Sequence, residues 1–126
     1  MKELFDKVCA DCSRNVTKTY STSFSLATRM LSKNIRQDIY NIYGFVRFAD
    51  EIVDTFHNYD KEILLNRFID ELEYSLKNDI SLNPILNSFQ ITVKKYNIDK
   101  HLIDSFLNSM RLDLEKKEYS NYEDYK

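Results

Sequence analysis

The chain has 126 residues, the size of one domain with its own hydrophobic core. It contains one glycine and one proline, too few for the tight turns of an all-β protein, so the composition predicts an all-helical fold. The 18 Lys and Arg residues nearly balance the 20 Asp and Glu residues, which excludes a strongly basic surface for nucleic acid.

The first helix is predicted over about residues 2–16, where apolar residues recur at helical spacing. This segment is amphipathic and does not resemble a signal peptide, and no apolar run in the chain has the length needed to span a bilayer. We therefore expect a cytoplasmic protein. Cys9 and Cys12 form a C-x-x-C pair, but both lie in the helical pattern and no second pair exists, which favours buried or half-buried thiols over a zinc or redox site.

Hydroxyl residues crowd together in the next segment, TKTYSTSFSLATRML, before an apolar pattern resumes at Phe24. This order predicts a short helix whose entry is rich in Ser and Thr. A helix start with several hydroxyls and free N–H groups can bind an anion.

The longest helix is predicted to begin after the cap residue Ser32 and to run to about Thr55. Phe45 and Phe48 lie opposite its main apolar seam, so the helix is apolar nearly all round and is expected to be central and buried. The seam residues alternate in steps of four and three: Ile35, Ile39, Ile42, Val46, Ala49 and Val53.

Three more helices follow in the pattern. One covers about residues 60–78, the next has Pro84 in its first turn, and the last begins after Asp99 and continues to about Lys117. The chain is thus predicted to be a bundle of five or six helices. In the last helix, the residues expected to point inward are Leu102, Ile103, Phe106 and Met110.

Four residues of the longest helix, Tyr43, Arg47, Asp50 and Asp54, form a stripe about 60° wide on one face. Two aspartates four residues apart repel each other by a few tenths of a kcal/mol, and burial without a partner costs more. In one interpretation, Arg47 neutralises Asp50 or Glu51 while Asp54 remains solvated. In the other, D-x-x-x-D holds Mg²⁺ and Arg47 binds a diphosphate oxygen.

Three segments, STSFSLATRML, IYNIYGFVRFADEIVD and MRLDLEKKEY, resemble the squalene/phytoene synthase family in order and spacing, most of all the phytoene synthases. The resemblance extends over residues 5–126. It implies an all-helical prenyltransferase of isoprenoid and carotenoid biosynthesis that joins two farnesyl or geranylgeranyl diphosphates head to head. The implied cofactor is Mg²⁺, with Mn²⁺ as an alternative.

The same resemblance implies roles for individual residues. Asp50 and Asp54 correspond to the first aspartate-rich motif and would bind metal, which makes them catalytic together with Arg47. The diphosphate would be contacted by Arg47, Ser21 and Ser23, and the pocket would be lined by Phe24 and Tyr43.

Asp113 lies within the apolar face of the last helix. It is a candidate substrate-binding residue, and the alternative is an aspartate that faces solvent or pairs with Arg111 or Lys117.

A second aspartate-rich motif, which the family carries on a later helix, is absent after Asp54. We therefore expect residues 1–126 to be the N-terminal half of a synthase domain, inactive alone, with exposed apolar surface that favours homo-oligomers. Peripheral membrane contact is compatible with a water-insoluble product. The alternative is a non-catalytic interaction module of the same fold, as in a mitochondrial respiratory complex I assembly factor that resembles these synthases. The acidic pairs considered and rejected as a second motif are Asp70/Glu73, Asp99/Asp104 and Asp113/Glu118.

Overall fold

Six α-helices make up most of the chain in a computed structural model that describes the backbone of residues 1–124 and the side chains of residues 1–116. No strand occurs in residues 1–124, so the all-helical prediction is confirmed. The helices are α1 (Lys2–Tyr20), α2 (Thr22–Arg29), α3 (Lys33–Asp54), α4 (Lys61–Asn78), α5 (Pro84–Lys95) and α6 (Lys100–Asp124).

Side-chain caps define where several of these helices begin. The side chain of Ser32 accepts a hydrogen bond from the Asn34 amide at the start of α3, as predicted. Asn83 caps α5 ahead of Pro84, and Asp60 caps α4. Each such cap stabilises a helix by about 1 kcal/mol because it satisfies an amide that has no partner within the helix.

Helix α1 extends one turn further than predicted and ends at Tyr20. Thr17 accounts for the difference: its side chain is fully buried, and its hydroxyl donates to the Ser13 carbonyl at 2.9 Å. The hydroxyl is therefore satisfied within the helix and does not compete with it. The chain leaves the helical conformation at Ser21, whose backbone is extended (φ −147°, ψ 94°).

Helix α3 is central and packs against each of the other five helices. Phe45 lies at the middle of this packing, with its ring stacked on Phe89 at a centroid distance of 3.9 Å and on Phe68 at 5.7 Å. Leu72 and Leu86 are fully buried beside it. Each side chain of this size contributes about 2 kcal/mol through burial.

Two residues predicted to lie in apolar seams are exposed instead. Leu102 is 67% exposed because the inward face of α6 runs through Ile103, Leu107 and Leu114, about 100° further round the helix. Ile35 is 38% exposed and lies in the first turn of α3.

A buried carboxylate ties α3 to α5. Asp38 accepts hydrogen bonds from Thr92 at 3.0 Å, Lys95 at 2.8 Å and the Tyr96 hydroxyl at 2.7 Å, and Asn41 donates to Thr92 beside it. Burial alone would raise the pKa of Asp38, but these hydrogen bonds and the charge of Lys95 outweigh it and hold the pKa below its ordinary value. Asp38 is therefore ionised and fully partnered.

Both thiols are free, with Cys9 buried and Cys12 half-buried, in agreement with the preferred interpretation of the C-x-x-C pair. Burial raises the pKa of the Cys9 thiol. No helix within residues 1–124 is long and apolar enough to cross a membrane.

Candidate functional site

The stripe predicted from the sequence lies on an uninterrupted stretch of α3. Tyr43, Arg47 and Asp50 are partly buried, while Asp54 is exposed and is the last residue of the helix. The stripe therefore runs from partly buried positions on α3 to an exposed position at its end.

Arg47 forms an ion pair with Glu51, and the distance from Nη2 to Oε2 is 3.2 Å. Glu51 also forms side-chain hydrogen bonds with Thr55 and Tyr20. The bonds from Thr55, Tyr20 and Arg47 lower the pKa of Glu51 although its burial opposes this, so the carboxylate is ionised at neutral pH. Glu51, at i+4, is one of the two partners expected for Arg47.

The ring of Tyr20 lies against the guanidinium of Arg47, with Cζ 4.8 Å from the ring centroid. Such a cation–π contact is worth about 0.5–2 kcal/mol, depending on desolvation. The pKa of Tyr20 is raised because its hydroxyl bonds to the Glu51 carboxylate, which favours the protonated phenol. The end of α1 thus packs against the stripe.

Arg47 Nε is buried and has no hydrogen-bond acceptor among the residues whose side chains the structure describes. A buried N–H without an acceptor is destabilising, and native proteins rarely keep one without a structural or functional cause.

The entry to α2 lies beside the same part of α3. Phe24 stacks on Tyr43 with a centroid distance of 4.9 Å, so these two predicted pocket residues are in contact. The Ser21 oxygen accepts from the Phe24 amide at 3.1 Å and caps α2, while Ser23 is exposed. The structure therefore brings Phe24 and Ser21 close to the stripe residue Tyr43.

A buried lysine lies at the end of α3. Lys61 donates from Nζ to the Val53 carbonyl at 2.8 Å and lies 2.9 Å from His57 Nδ1. A cation near the last carbonyls of a helix is stabilised by the helix dipole. Lys61 therefore fixes the turn of α3 that carries Asp54.

Asp113 is exposed on α6, and no hydrogen bond or ion pair joins it to another residue whose side chain is described. Lys117, one of its expected partners, has a side chain outside the described residues. A substrate-binding role for Asp113 stays a prediction.

A family model described as squalene/phytoene synthase matches residues 17–126. The chain belongs to the squalene/phytoene synthase family. It is similar to phytoene synthase 1, chloroplastic, of Solanum lycopersicum, with 26% identity over 98% of this chain and 29% of the relative. The corresponding protein of Zea mays is 27% identical over the same shares, and that of Arabidopsis thaliana is 27% identical over 97% of this chain and 28% of the relative. The chain thus spans less than a third of the length of these relatives.

Few side chains that could coordinate a metal ion lie close together in the described part of the chain. No group of three or more His, Cys, Asp or Glu residues there is arranged to hold a metal ion. Asp50 and Asp54 lie one turn apart on one face of α3. Such a pair fits Mg²⁺ when waters and substrate phosphates complete the coordination, because Mg²⁺ is usually bound by one or two carboxylates.

Tyr20 and Lys61 are the site residues that the sequence did not reveal. Tyr20 immediately precedes the hydroxyl-rich entry of α2, but its contact with Arg47 depends on how α1 crosses α3. Lys61 is the first residue of α4, a position usual for an exposed lysine. Helical periodicity describes one segment at a time, so it predicts neither of these contacts with α3.

Proposed function

We propose that this chain supplies metal and diphosphate binding to a phytoene synthase-like prenyltransferase, which condenses two prenyl diphosphates head to head. The observation that supports this most strongly is the position of Arg47, Asp50 and Asp54 on one continuous face of α3 in a family member. The substrates would be farnesyl or geranylgeranyl diphosphate. Their diphosphate groups are anions that a guanidinium and a metal ion can bind together.

In this proposal, Arg47 binds an oxygen of the diphosphate, and Asp50 and Asp54 hold Mg²⁺. Bound metal would stabilise the negative charge that develops on a leaving diphosphate. Arg47 would add a fixed positive charge from the protein, in a partly buried position where electrostatic interactions are stronger than in bulk water.

Phe24 and Tyr43 would form the apolar side of the pocket next to these charges. Their stacked rings lie at the entry of α2, beside Ser21 and Ser23, which would contact the diphosphate in this proposal. Aromatic faces attract a cation and are weak nucleophiles, so they can stabilise an allylic carbocation without trapping it.

We further propose that the 126-residue chain does not complete the reaction alone. Within the described residues, no group of three or more His, Cys, Asp or Glu residues is arranged to hold a metal ion. Incubation of the purified chain with geranylgeranyl diphosphate and Mg²⁺ is expected to yield no C40 hydrocarbon. Clear product formation would contradict this part of the proposal.

Calorimetric binding of a non-hydrolysable prenyl thiodiphosphate tests the proposed site. Binding should require Mg²⁺ and should be lost in Asp50→Ala, whereas the matched variant Asp70→Ala, at an exposed position on α4, should bind like wild type. Metal-independent binding, or no binding by the wild type, would favour a non-catalytic interaction module of the same fold.

A further inference from the structure

Glu51 lies inside the sequence D-E-I-V-D and is more buried than either aspartate. Its side chain is 12% exposed, and it interacts with Arg47, Tyr20 and Thr55. Three donors from α1, α3 and the residue after α3 thus converge on one carboxylate. These interactions occupy much of the hydrogen-bonding capacity of the carboxylate.

Arg47 is restrained on two sides by the same residues. Glu51 binds Nη2 at one end of the guanidinium, and the ring of Tyr20 lies against its face. Tyr20 and Glu51 also interact with each other, which raises the pKa of Tyr20. Because a guanidinium is planar and rigid, fixing one edge and one face fixes the direction of its remaining N–H groups.

Arg47 Nε is the donor that this arrangement leaves buried without an acceptor among the described side chains. An anionic oxygen that accepted this N–H would relieve an unsatisfied group and add a charge-assisted hydrogen bond. The ligand-free chain therefore already holds an N–H donor for an anion.

We infer that Tyr20 and Glu51 are positioning residues, which hold the guanidinium of Arg47 in place to receive a diphosphate oxygen. This inference rests on the proposed function for the identity of the anion. It assigns Glu51 to the positioning of Arg47.

The first test uses the ligand-free chain with ¹⁵N-labelled arginine, and follows the Nε–Hε signal of Arg47 by NMR. Arg47→Lys assigns the signal by removing it, and the exposed Arg14 and Arg67 give the reference for an unrestrained side chain. In the wild type, the Nε–Hε signal of Arg47 should differ in chemical shift from the signals of Arg14 and Arg67. The Hε proton of Arg47 should also exchange slowly with water. Glu51→Ala should speed this exchange about tenfold or more, because it removes a charge-assisted hydrogen bond.

Graded variants separate positioning from a general effect on folding. Tyr20→Phe keeps the ring and loses the hydroxyl, so its exchange rate should fall between those of wild type and Tyr20→Leu. Glu51→Gln should restore part of the protection lost in Glu51→Ala, and Glu115→Ala, at an exposed position on α6, should behave like wild type. Tyr20 is 48% exposed, so its variants should fold and decide the question even if Glu51→Ala unfolds the chain. An Arg47 signal unchanged in Glu51→Ala and Tyr20→Leu would overturn the inference.

The second test adds inorganic pyrophosphate with Mg²⁺. Pyrophosphate should shift the Arg47 Nε–Hε signal, and Tyr20→Leu should weaken its affinity about tenfold. A wild-type chain that binds no pyrophosphate would contradict the proposed function, while the ligand-free spectra still decide whether Tyr20 and Glu51 position Arg47. Equal affinities of wild type and Tyr20→Leu would overturn the assignment of Tyr20.

Discussion

Arg47 and Glu51 lie one helical turn apart on α3 and are joined by an ion pair of 3.2 Å. Glu51 is the most buried of the three acidic residues in YGFVRFADEIVD, whereas Asp54 is exposed and Asp50 is intermediate. The buried charge in this stretch is therefore partnered by protein groups. In the proposed function, the metal ion is bound by the two aspartates, which lie nearer to solvent than Glu51.

Asp38→Asn should lower the free energy of unfolding by about 2 kcal/mol, measured by urea denaturation. The asparagine would lose the charge that attracts Lys95, and its amide group would place a donor against the donors Lys95 and Tyr96. Asp11→Asn is the matched control, because its ion pair with Lys7 is exposed and should be worth less than about 0.5 kcal/mol. Equal effects of the two substitutions would contradict a structural role for the buried carboxylate.

Stability should decrease at acid pH partly through Asp38. Its pKa is lower in the folded chain than in the unfolded chain, so the unfolded state takes up a proton first as the pH falls. The stabilisation is fully present above the unfolded value of about 3.9 and is lost as the pH falls through the folded pKa. Urea midpoints between pH 7 and pH 3 should therefore fall less steeply in Asp38→Asn than in wild type below about pH 5. Parallel pH profiles of wild type and Asp38→Asn would show that another carboxylate dominates the loss of stability at acid pH.

Gly44→Ala should stabilise the chain by about 0.5–1 kcal/mol, because alanine favours the helical conformation over glycine. An added Cβ would meet Ser13 Oγ at 3.4 Å and Ile85 Cγ2 at 3.5 Å, which are ordinary contact distances. Gly44→Val should instead destabilise, since its further methyl groups would overpack the crossing of α1, α3 and α5. A lower urea midpoint for Gly44→Ala would mean that these helices pack more closely than the distances indicate.

Lys61→Met should destabilise the last turn of α3 by about 1–2 kcal/mol, because it keeps the apolar stem and removes the cation from the Val53 carbonyl. Hydrogen exchange of the Thr55 amide, which donates to the Glu51 carbonyl, reports on this turn directly. Exchange should be faster in Lys61→Met and unchanged in Lys77→Met, at an exposed position near the end of α4. Equal exchange rates of the Thr55 amide in both variants would show that Lys61 does not stabilise this turn.

The order of helices followed from local signals, whereas the contacts between helices did not. The cap at Ser32 and the proline at the start of α5 are properties of single segments, and the structure confirms them. The seam of α3 holds only in part, because Ala49 and Val53 are buried whereas Ile35 is exposed. Leu102 was placed wrongly because neighbouring residues on a helix differ by about 100°, and only the packed structure shows which one faces inward. The contact of Tyr20 with Arg47 was missed for the same reason.

In the proposed function, Asp50 and Asp54 bind a metal ion together with a diphosphate, and paramagnetic NMR with Mn²⁺ and pyrophosphate tests this most directly. Line broadening is predicted to be strongest for amides at the end of α3, and to disappear in Asp50→Ala and Asp54→Ala but not in Asp70→Ala. Broadening centred on another helix, or equally strong broadening at α3 in Asp50→Ala and Asp54→Ala, would contradict the proposed site.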